Sequence, residues 1–309
     1  MRRRLLAAAL AAACAATSVH AASWNLTPYP DVPDSFFTEL WSINDRGVVV
    51  GTTNAGGFVD DHGHRTWYAF ANPSGLNNYL AGISNSGVLI GGDGDTAFID
   101  DHGAITPVSV AGATQTFVRG ISSNGRYVVG TWLQGFNAHG YILDRATSQF
   151  TLVDGRNGGA VAMTDINDNG VAVGIAANDG ASVVIDLHAG TTTWLDAASG
   201  FTQLRLLTIN DAGELAGRGA NASNQLTGVI GSLADGFTAF DPQADGYAFV
   251  DHLNDAGQAV GQFLSYTGGG YNFMATQVST VPEPAPLLLF ASGLLAAGLL
   301  ARRRRDSAR

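Results

Sequence analysis

The chain has 309 residues, with 16 basic and 26 acidic side chains and one cysteine, Cys14. Every basic residue is an arginine, and positions 22–280 hold eight of them against 24 acids, a net charge of about −16. Nucleic acid and anionic membrane surfaces are therefore excluded as partners, because their phosphates would repel this region. A glycine-rich middle of about 260 residues with few charged helix formers predicts one large all-β domain.

The first 21 residues have the pattern of a secretory signal peptide. Arginines at positions 2–4 precede an apolar stretch at 5–16, and Val19-His20-Ala21 offers a small-residue cleavage site. We expect signal peptidase to release a chain that begins near residue 22. Since Cys14 lies in the removed segment, the mature protein has no disulfide and no thiolate metal site.

Residues 22–280 are organised by a repeat that occurs six times. Each copy has an apolar residue, a short polar turn that ends in glycine, and an apolar strand. Copies begin 38 to 45 residues apart, a period typical of four-stranded propeller blades. The leading apolar residues are Ile43, Ile83, Ile121, Ile166, Ile209 and Leu253.

The polar part of each repeat predicts a tight hairpin turn. Asn or Ser at its first position can accept a backbone hydrogen bond, and glycine at its fourth position suits a left-handed backbone. We assign these residues a structural role. They are Asn44, Gly47, Gly87, Gly125, Asn167, Gly170, Asn210, Gly213, Asn254 and Gly257.

The two ends of the repeat array are complementary. The sixth copy finishes near Gln277, one strand short of a blade, and the opening segment 24–29 can supply that strand. Such pairing would close a ring and remove the open sheet edges. The sequence thus predicts an all-β, six-bladed propeller, with a seven-bladed ring and an open β-solenoid as the alternatives.

The repeats resemble the HAF family of extracellular bacterial repeats. In that family a hydrophobic-Asn-x-x-Gly-x-Val-x-Gly stretch precedes an aromatic strand that often begins His-Ala-Phe. Thr96-Ala97-Phe98 and Ala138-His139-Gly140-Tyr141 stand at that second place here. The resemblance implies an exported protein and supplies no catalytic residues.

Two short segments contain residue types that could bind a metal ion. His62-Gly63-His64 follows two aspartates, but Asp100-Asp101-His102-Gly103 is its counterpart in the next repeat, so a hairpin turn explains both. Asp93-Gly94-Asp95 is a short acidic loop that lacks the further spaced ligands of a calcium loop. We therefore expect no cofactor and no catalytic or metal site, with calcium as the only candidate ion.

The chain ends with a pattern typical of membrane sorting. Pro282, Glu283 and Pro284 precede 17 uncharged residues at 285–301, and Arg302, Arg303, Arg304 and Arg305 follow. The apolar run is long enough for a short transmembrane helix, and the arginines would stay in the cytoplasm. Residues 281–309 resemble the PEP-CTERM sorting tail, which implies processing by an exosortase-type transpeptidase; an ordinary tail anchor is the alternative.

These features predict a protein made as an inner-membrane-anchored intermediate and then displayed at the cell surface or released. We expect a non-enzymatic binding or structural module of the envelope or extracellular matrix, with exopolysaccharide as a partner. The alternative is a carbohydrate-active hydrolase with aspartates at the propeller channel. Close, non-equivalent carboxylates in the channel would favour the enzyme, whereas equivalent residues from every blade would favour the module.

Overall fold

The structure is a computed structural model that describes residues 23–30, 32–72, 78–178, 180–198, 200–240 and 245–278. Within these ranges, Trp24–Gln277 forms one compact unit of β-strands. A single 3₁₀ turn, Arg156–Gly158, precedes the fourteenth strand. The strands are β1 (Ser23–Pro28), β2 (Thr38–Ile43), β3 (Val48–Thr53), β4 (Gly56–Asp61), β5 (His64–Trp67), β6 (Tyr79–Ile83), β7 (Leu89–Asp93), β8 (Thr96–Asp101), β9 (Ala104–Val108), β10 (Gln115–Ile121), β11 (Tyr127–Gln134), β12 (Asn137–Asp144), β13 (Gln149–Val153), β14 (Val161–Ile166), β15 (Val171–Ala176), β16 (Ser182–Asp186), β17 (Thr191–Leu195), β18 (Phe201–Ile209), β19 (Leu215–Asn221), β20 (Leu226–Ser232), β21 (Gly236–Phe240), β22 (Gly246–Leu253), β23 (Gln258–Ser265) and β24 (Gly270–Val278).

The strands form six four-stranded sheets, each corresponding to one sequence repeat. Blades 1 to 5 are β2–β5, β6–β9, β10–β13, β14–β17 and β18–β21, each in simple chain order. Blade 6 has the order β1-β24-β23-β22, so the first strand of the chain is the outermost strand of the last blade. The predicted six-bladed propeller closed by its N-terminal strand is confirmed, and the seven-bladed and solenoid alternatives are wrong.

The innermost strands surround a central channel. β2, β6, β10, β14, β18 and β22 each contact the corresponding strand of the next blade, and β22 returns to β2. Six apolar clusters lie at the six boundaries between neighbouring blades. The core is thus divided among the blade boundaries, because each sheet can bury its faces only against the two sheets beside it.

The predicted signal peptide, residues 1–21, and the predicted sorting tail, residues 281–309, lie outside the described residues. In the part of the chain that the structure describes, no helix has both the length and the apolar character needed to cross a bilayer.

Candidate functional site at the channel and the closure seam

The six repeat turns lie together at one end of the channel. Each turn follows an innermost strand, and its glycine has a φ between 70° and 93°. In the first copy, Asn44 Oδ1 accepts hydrogen bonds from the backbone N–H groups of Arg46 at 3.1 Å and Val48 at 3.0 Å. The Asn side chain thus supports the turn from inside, while a side chain at the glycine position would be strained.

Hydrogen bonds join the six turns into a closed ring, which we call the turn ring. It comprises Asp45, Asn85, Ser123, Asn124, Asp168, Asp211 and Asp255. Its bonds run from Asp255 N–H to Asp45 Oδ1 (2.8 Å), Asp45 N–H to Asn85 Oδ1 (2.9 Å), Asn85 N–H to Ser123 O (2.8 Å), Asn124 N–H to Asp168 Oδ1 (2.8 Å), Asp168 N–H to Asp211 Oδ1 (2.8 Å) and Asp211 N–H to Asp255 Oδ1 (2.5 Å).

The carboxylates of the turn ring repel one another. Partial burial raises the pKa of Asp168, Asp211 and Asp255, and the neighbouring ring carboxylates, including Asp45, raise it further. The backbone N–H groups that these carboxylates accept from act in the opposite direction. The ring therefore stabilises blade-to-blade contact at an electrostatic cost that grows as the aspartates ionise.

The leading apolar residues of the repeats seal the channel beneath the turn ring. The space among Ile43, Ile83, Ile121, Ile166, Ile209 and Leu253 amounts to about 10 Å³. Such a volume holds about one water molecule. A sugar or peptide substrate therefore has no room at this end of the channel.

One polar cluster at this level breaks the six-fold equivalence. Asp165 Oδ2 accepts hydrogen bonds from Thr208 Oγ1 at 2.8 Å and from the Ile209 N–H at 3.1 Å, and His252 Nε2 lies 3.7 Å away. Burial raises the pKa of Asp165, whereas His252 and the donated hydrogen bonds lower it. Because Asp165 is almost completely buried beside a nearly filled channel, this cluster joins blades 4, 5 and 6 and offers no surface to a substrate.

An open groove lies at the opposite end of β2, at the seam where blade 6 meets blade 1. Its volume is about 370 Å³, and we call it the seam groove. One wall is the linker before β2 with Phe36 and Phe37, and the other wall comes from β23 and β24 with Tyr271 and Asn272. Glu39 lines the groove from β2 itself. Clefts of this size accommodate small ligands or a short stretch of polymer.

Aromatic side chains are exposed in the seam groove. Phe36 is 85% exposed and Phe37 41%, and their rings meet edge to face at 5.4 Å. Tyr271 is 40% exposed and packs 5.0 Å from Phe263. Asn54 Oδ1 accepts hydrogen bonds from Ser35 Oγ at 2.7 Å and from the Phe36 N–H at 3.0 Å, so the linker is held in place. These aromatic rings are therefore exposed to solvent, and hydrogen bonds hold the backbone of the linker that carries Phe36 and Phe37.

The remaining segments that the sequence singled out have structural partners. His62-Gly63 and His102-Gly103 each have two successive positive φ values, as two-residue hairpin turns require. Asp93 accepts hydrogen bonds from the N–H groups of Ala71 and Asn72. Within the described ranges, no three His, Cys, Asp or Glu side chains are grouped to hold a metal ion.

The sequence did not reveal the seam groove. Phe36 and Phe37 stand in a linker with no repeat counterpart, and Tyr271 belongs to the last blade, about 230 residues later. Their proximity depends on ring closure. The available signal was the adjacent aromatic pair itself, which stands directly before β2.

No known protein family matches the chain, and no curated protein sequence matches it. Among solved structures it is similar to TolB from Acinetobacter baumannii, with 11% identity over 78% of this chain and 63% of that one and a TM-score of 0.47. It is also similar to a structure from work on two prolyl endopeptidases, with 15% identity, 80% and 41% coverage and a TM-score of 0.53. A third similar structure contains the WD40 repeats of RRP9, with 10% identity, 77% and 76% coverage and a TM-score of 0.49. The chain spans less than two thirds of the first two proteins, and the likeness concerns the fold alone.

Proposed function

We propose that the protein is an exported cell-envelope or extracellular-matrix protein, and that its propeller binds a neutral polysaccharide in the seam groove. The signal-like start and the PEP-CTERM-like end support export, membrane anchoring and exosortase processing. The single observation that carries the binding function is an open, aromatic-lined groove beside a channel that is sealed at its other end.

The chemistry of the groove suits a carbohydrate. The C–H bonds on one face of a sugar ring carry a slight positive charge and pack on the electron-rich face of an aromatic ring. Phe36, Phe37 and Tyr271 offer such faces, while Glu39 and Asn272 offer hydrogen-bonding groups to hydroxyls. Exposed aromatic groups beside polar ones are typical of a recognition surface.

Charge narrows the class of polysaccharide. The region from 22 to 280 carries about −16 charges, and Glu39 is the charged side chain of the groove lining. An acidic polymer would be repelled both at long range and inside the groove. We therefore expect a neutral exopolysaccharide.

A hydrolase is the second candidate, and Asp251 is the observation that favours it. This carboxyl group lies on the innermost strand β22, and burial raises its pKa to about 7, a value suited to a general acid. Release of reducing ends from a neutral polysaccharide, abolished by Asp251→Asn, would establish the enzyme. Binding without any release supports the module.

Binding of neutral exopolysaccharide from cultures of the producing bacterium tests the proposal. Phe36→Ala with Phe37→Ala should weaken binding at least tenfold, because two stacking faces are lost. Phe136→Ala is the matched control, since Phe136 is fully exposed and lies outside the groove lining. Equal binding by the double variant and the control would reject the seam groove as the site.

A further inference from the structure

The face of blade 6 that forms one wall of the seam groove continues beyond the groove. Gln262 and Leu264 on β23 line the groove. Their cross-strand partners on β22 are Phe249 and Tyr247, respectively. Directly opposed residues of an antiparallel pair project from the same face of the sheet, on strands about 4.8 Å apart. The wall of the groove therefore extends onto β22 through two aromatic side chains.

A run of aromatic rings leads from this face to the loop between β23 and β24. The ring centroids of Phe249 and Tyr247 are 4.7 Å apart, and those of Tyr247 and Tyr266 are 5.7 Å apart. Phe249 is buried, Tyr247 is half-buried and Tyr266 is 57% exposed. The two tyrosine rings are thus accessible from solvent, and the buried phenylalanine supports them from below.

Hydrogen bonds hold the loop that carries Tyr266. The Tyr266 N–H donates to Asp245 O at 2.9 Å, and the Ser265 N–H donates to Gly269 O at 3.0 Å. Ser265 Oγ also accepts from the Thr267 N–H at 3.2 Å. Because the backbone is already fixed beside β22, a ligand that packs on the Tyr266 ring has little loop entropy to offset.

The hydroxyl groups of these tyrosines differ from those of tyrosines in other blades. Tyr68 and Tyr141 donate to protein oxygens at 2.9 Å and 3.0 Å. Within the described ranges, no protein group forms a hydrogen bond with the hydroxyl of Tyr247 or Tyr266. Each of the two therefore offers a ligand both a ring face and a hydrogen-bonding hydroxyl.

We propose that Tyr247 and Tyr266 form a second sugar-stacking subsite, so that the protein binds an internal stretch of a neutral polysaccharide chain rather than a single terminal sugar. This inference rests on the proposed function and names the form of its ligand. The ring faces take the apolar face of a sugar, and the tyrosine hydroxyls bond to its hydroxyl groups.

The distance between the two subsites requires a chain. Gly270, which lines the groove on β24, and Tyr247 on β22 both pair with Leu264. They are therefore two strand spacings, roughly 10 Å, apart. A single sugar ring in the groove does not reach across this distance to the tyrosines, whereas consecutive rings of one chain do.

A second copy of this chain is the competing occupant of the exposed tyrosines. The region from 22 to 280 carries about −16 charges, and Glu39 lies in the adjoining groove. Two such copies repel each other at long range, while a neutral polysaccharide meets no such repulsion. Charge therefore favours the sugar chain.

The test uses neutral exopolysaccharide of the producing bacterium, cut by partial acid hydrolysis and separated by size, with the mature protein in a calorimeter. The wild type should bind hexasaccharide fragments at least about tenfold more tightly than disaccharides. Tyr247→Ala and Tyr266→Ala should each weaken the hexasaccharides about five- to tenfold and leave disaccharide affinity unchanged, because a disaccharide occupies the groove alone. Phe136→Ala, which removes a fully exposed ring in blade 3, is the matched control and should bind like the wild type.

The outcomes separate the two proposals. If the paired Phe36 and Phe37 variant loses binding while both tyrosine variants bind every fragment like the wild type, the second subsite is wrong and the groove remains. If the wild type binds neither the whole polymer nor its fragments, the proposed function fails and the subsite with it.

Two further measurements guard the interpretation. Light scattering should show the same mass for the wild type and Tyr266→Ala, and a wild-type dimer that dissociates in this variant would assign the surface to self-association and refute the subsite. Thermal unfolding shows whether a loss of binding reflects a loss of the fold. Since Tyr266 is the more exposed of the two, Tyr266→Ala decides the result if Tyr247→Ala does not fold.

Discussion

At the residue scale, Asp251 is a carboxyl group that the fold does not satisfy. Its Oδ2 has no hydrogen-bond partner among the described residues, and burial outweighs the attraction of Arg218. A pKa near 7, against about 3.9 for a carboxyl in the unfolded chain, means that the folded protein resists ionisation. Residues that cost stability in this way are frequently kept for binding or catalysis.

Replacing Asp251 by Asn should therefore stabilise the protein at neutral pH. The pKa of Asp251 is higher in the folded than in the unfolded state. Its effect on the free energy of unfolding is therefore most favourable below about pH 4, where the carboxyl group is neutral in both states, and this stability is lost as the pH rises toward 7. Asn cannot ionise, so Asp251→Asn should raise the free energy of unfolding by about 4 kcal/mol at pH 8 and hardly at all at pH 4. Denaturant unfolding at both pH values measures this, and an equal effect at both would refute the raised pKa.

The repulsion among the carboxylates of the turn ring can be tested by exchanging carboxyl and amide side chains. Asn85 already accepts the N–H of Asp45 through Oδ1, and its amide donates to the Asp45 carboxylate. Asp255→Asn should keep the hydrogen bond from the Asp211 N–H and remove the repulsion from the carboxylates of Asp211 and Asp45. The free energy of unfolding should therefore rise by about 0.5 kcal/mol at pH 7, and this gain should disappear below pH 4. The reverse change, Asn85→Asp, should destabilise by about 1 kcal/mol at pH 7. The same sign for both substitutions in thermal unfolding would contradict the repulsion.

Residue roles were only partly predictable from the sequence. The glycines of the turns follow from backbone conformation, which is local and therefore visible in each repeat. The bonds between Asp255 and Asp45 or between Asp168 and Asp211 are not local, because they join different blades. A bulge such as that at Trp41 is a property of strand register, which a single strand's sequence does not fix.

At the element scale, ring closure depends on β1. This strand pairs with β24, and Trp24 packs 5.1 Å from Phe240 of the neighbouring blade in a shared apolar cluster. The closing strand was predictable because the last repeat lacks one strand and the first segment has the right length and composition. The register of β1 was not predictable from the sequence, because its pairing partner, β24, lies at the other end of the propeller sequence and no short turn joins the two strands.

Trp24→Ala should weaken the closure of the ring. Removing a buried indole leaves a cavity and costs about 3 kcal/mol. Trp67→Ala is the matched control, because Trp67 lies on β5, the outermost strand of blade 1, and is 50% exposed. We expect the control to lose less than about 1 kcal/mol. Equal losses in denaturant unfolding would show that β1 has no special role in stability.

The seam groove also belongs to the element scale, and it illustrates what sequence patterns miss. Its walls come from the linker before β2 and from β23 and β24. The repeat predicts the strands, but the groove arises only where a non-repeating linker meets the last blade. The candidate ligand contacts therefore come both from the non-repeating linker, through Phe36 and Phe37, and from blade strands, through Glu39 and Tyr271.

At the scale of the whole molecule, the two ends and the propeller have separate roles in the proposal. We propose that the ends direct export and processing and that the folded region binds polysaccharide. The sorting role was derived from the order of three sequence features, Pro282-Glu283-Pro284, an apolar run and an arginine cluster. The proposed sorting step is recognition of this motif by a processing enzyme.

The processing proposal predicts a change in mature mass. Cells that contain the exosortase-type transpeptidase should yield a protein shortened at the sorting motif, and cells without it should retain the membrane-anchored form. Glu283→Ala should give the unprocessed form in both cells if the glutamate is recognised. Mass spectrometry of envelope fractions measures this, and an identical mature mass in all samples would rule out the proposed processing.

The most direct measurement of the central claim is a crystal structure of the mature protein with the neutral oligosaccharide that binds best. We predict a sugar ring stacked on Phe36 or Tyr271 in the seam groove. A sugar bound on another face of the propeller, with the seam groove occupied by solvent alone, would contradict the account.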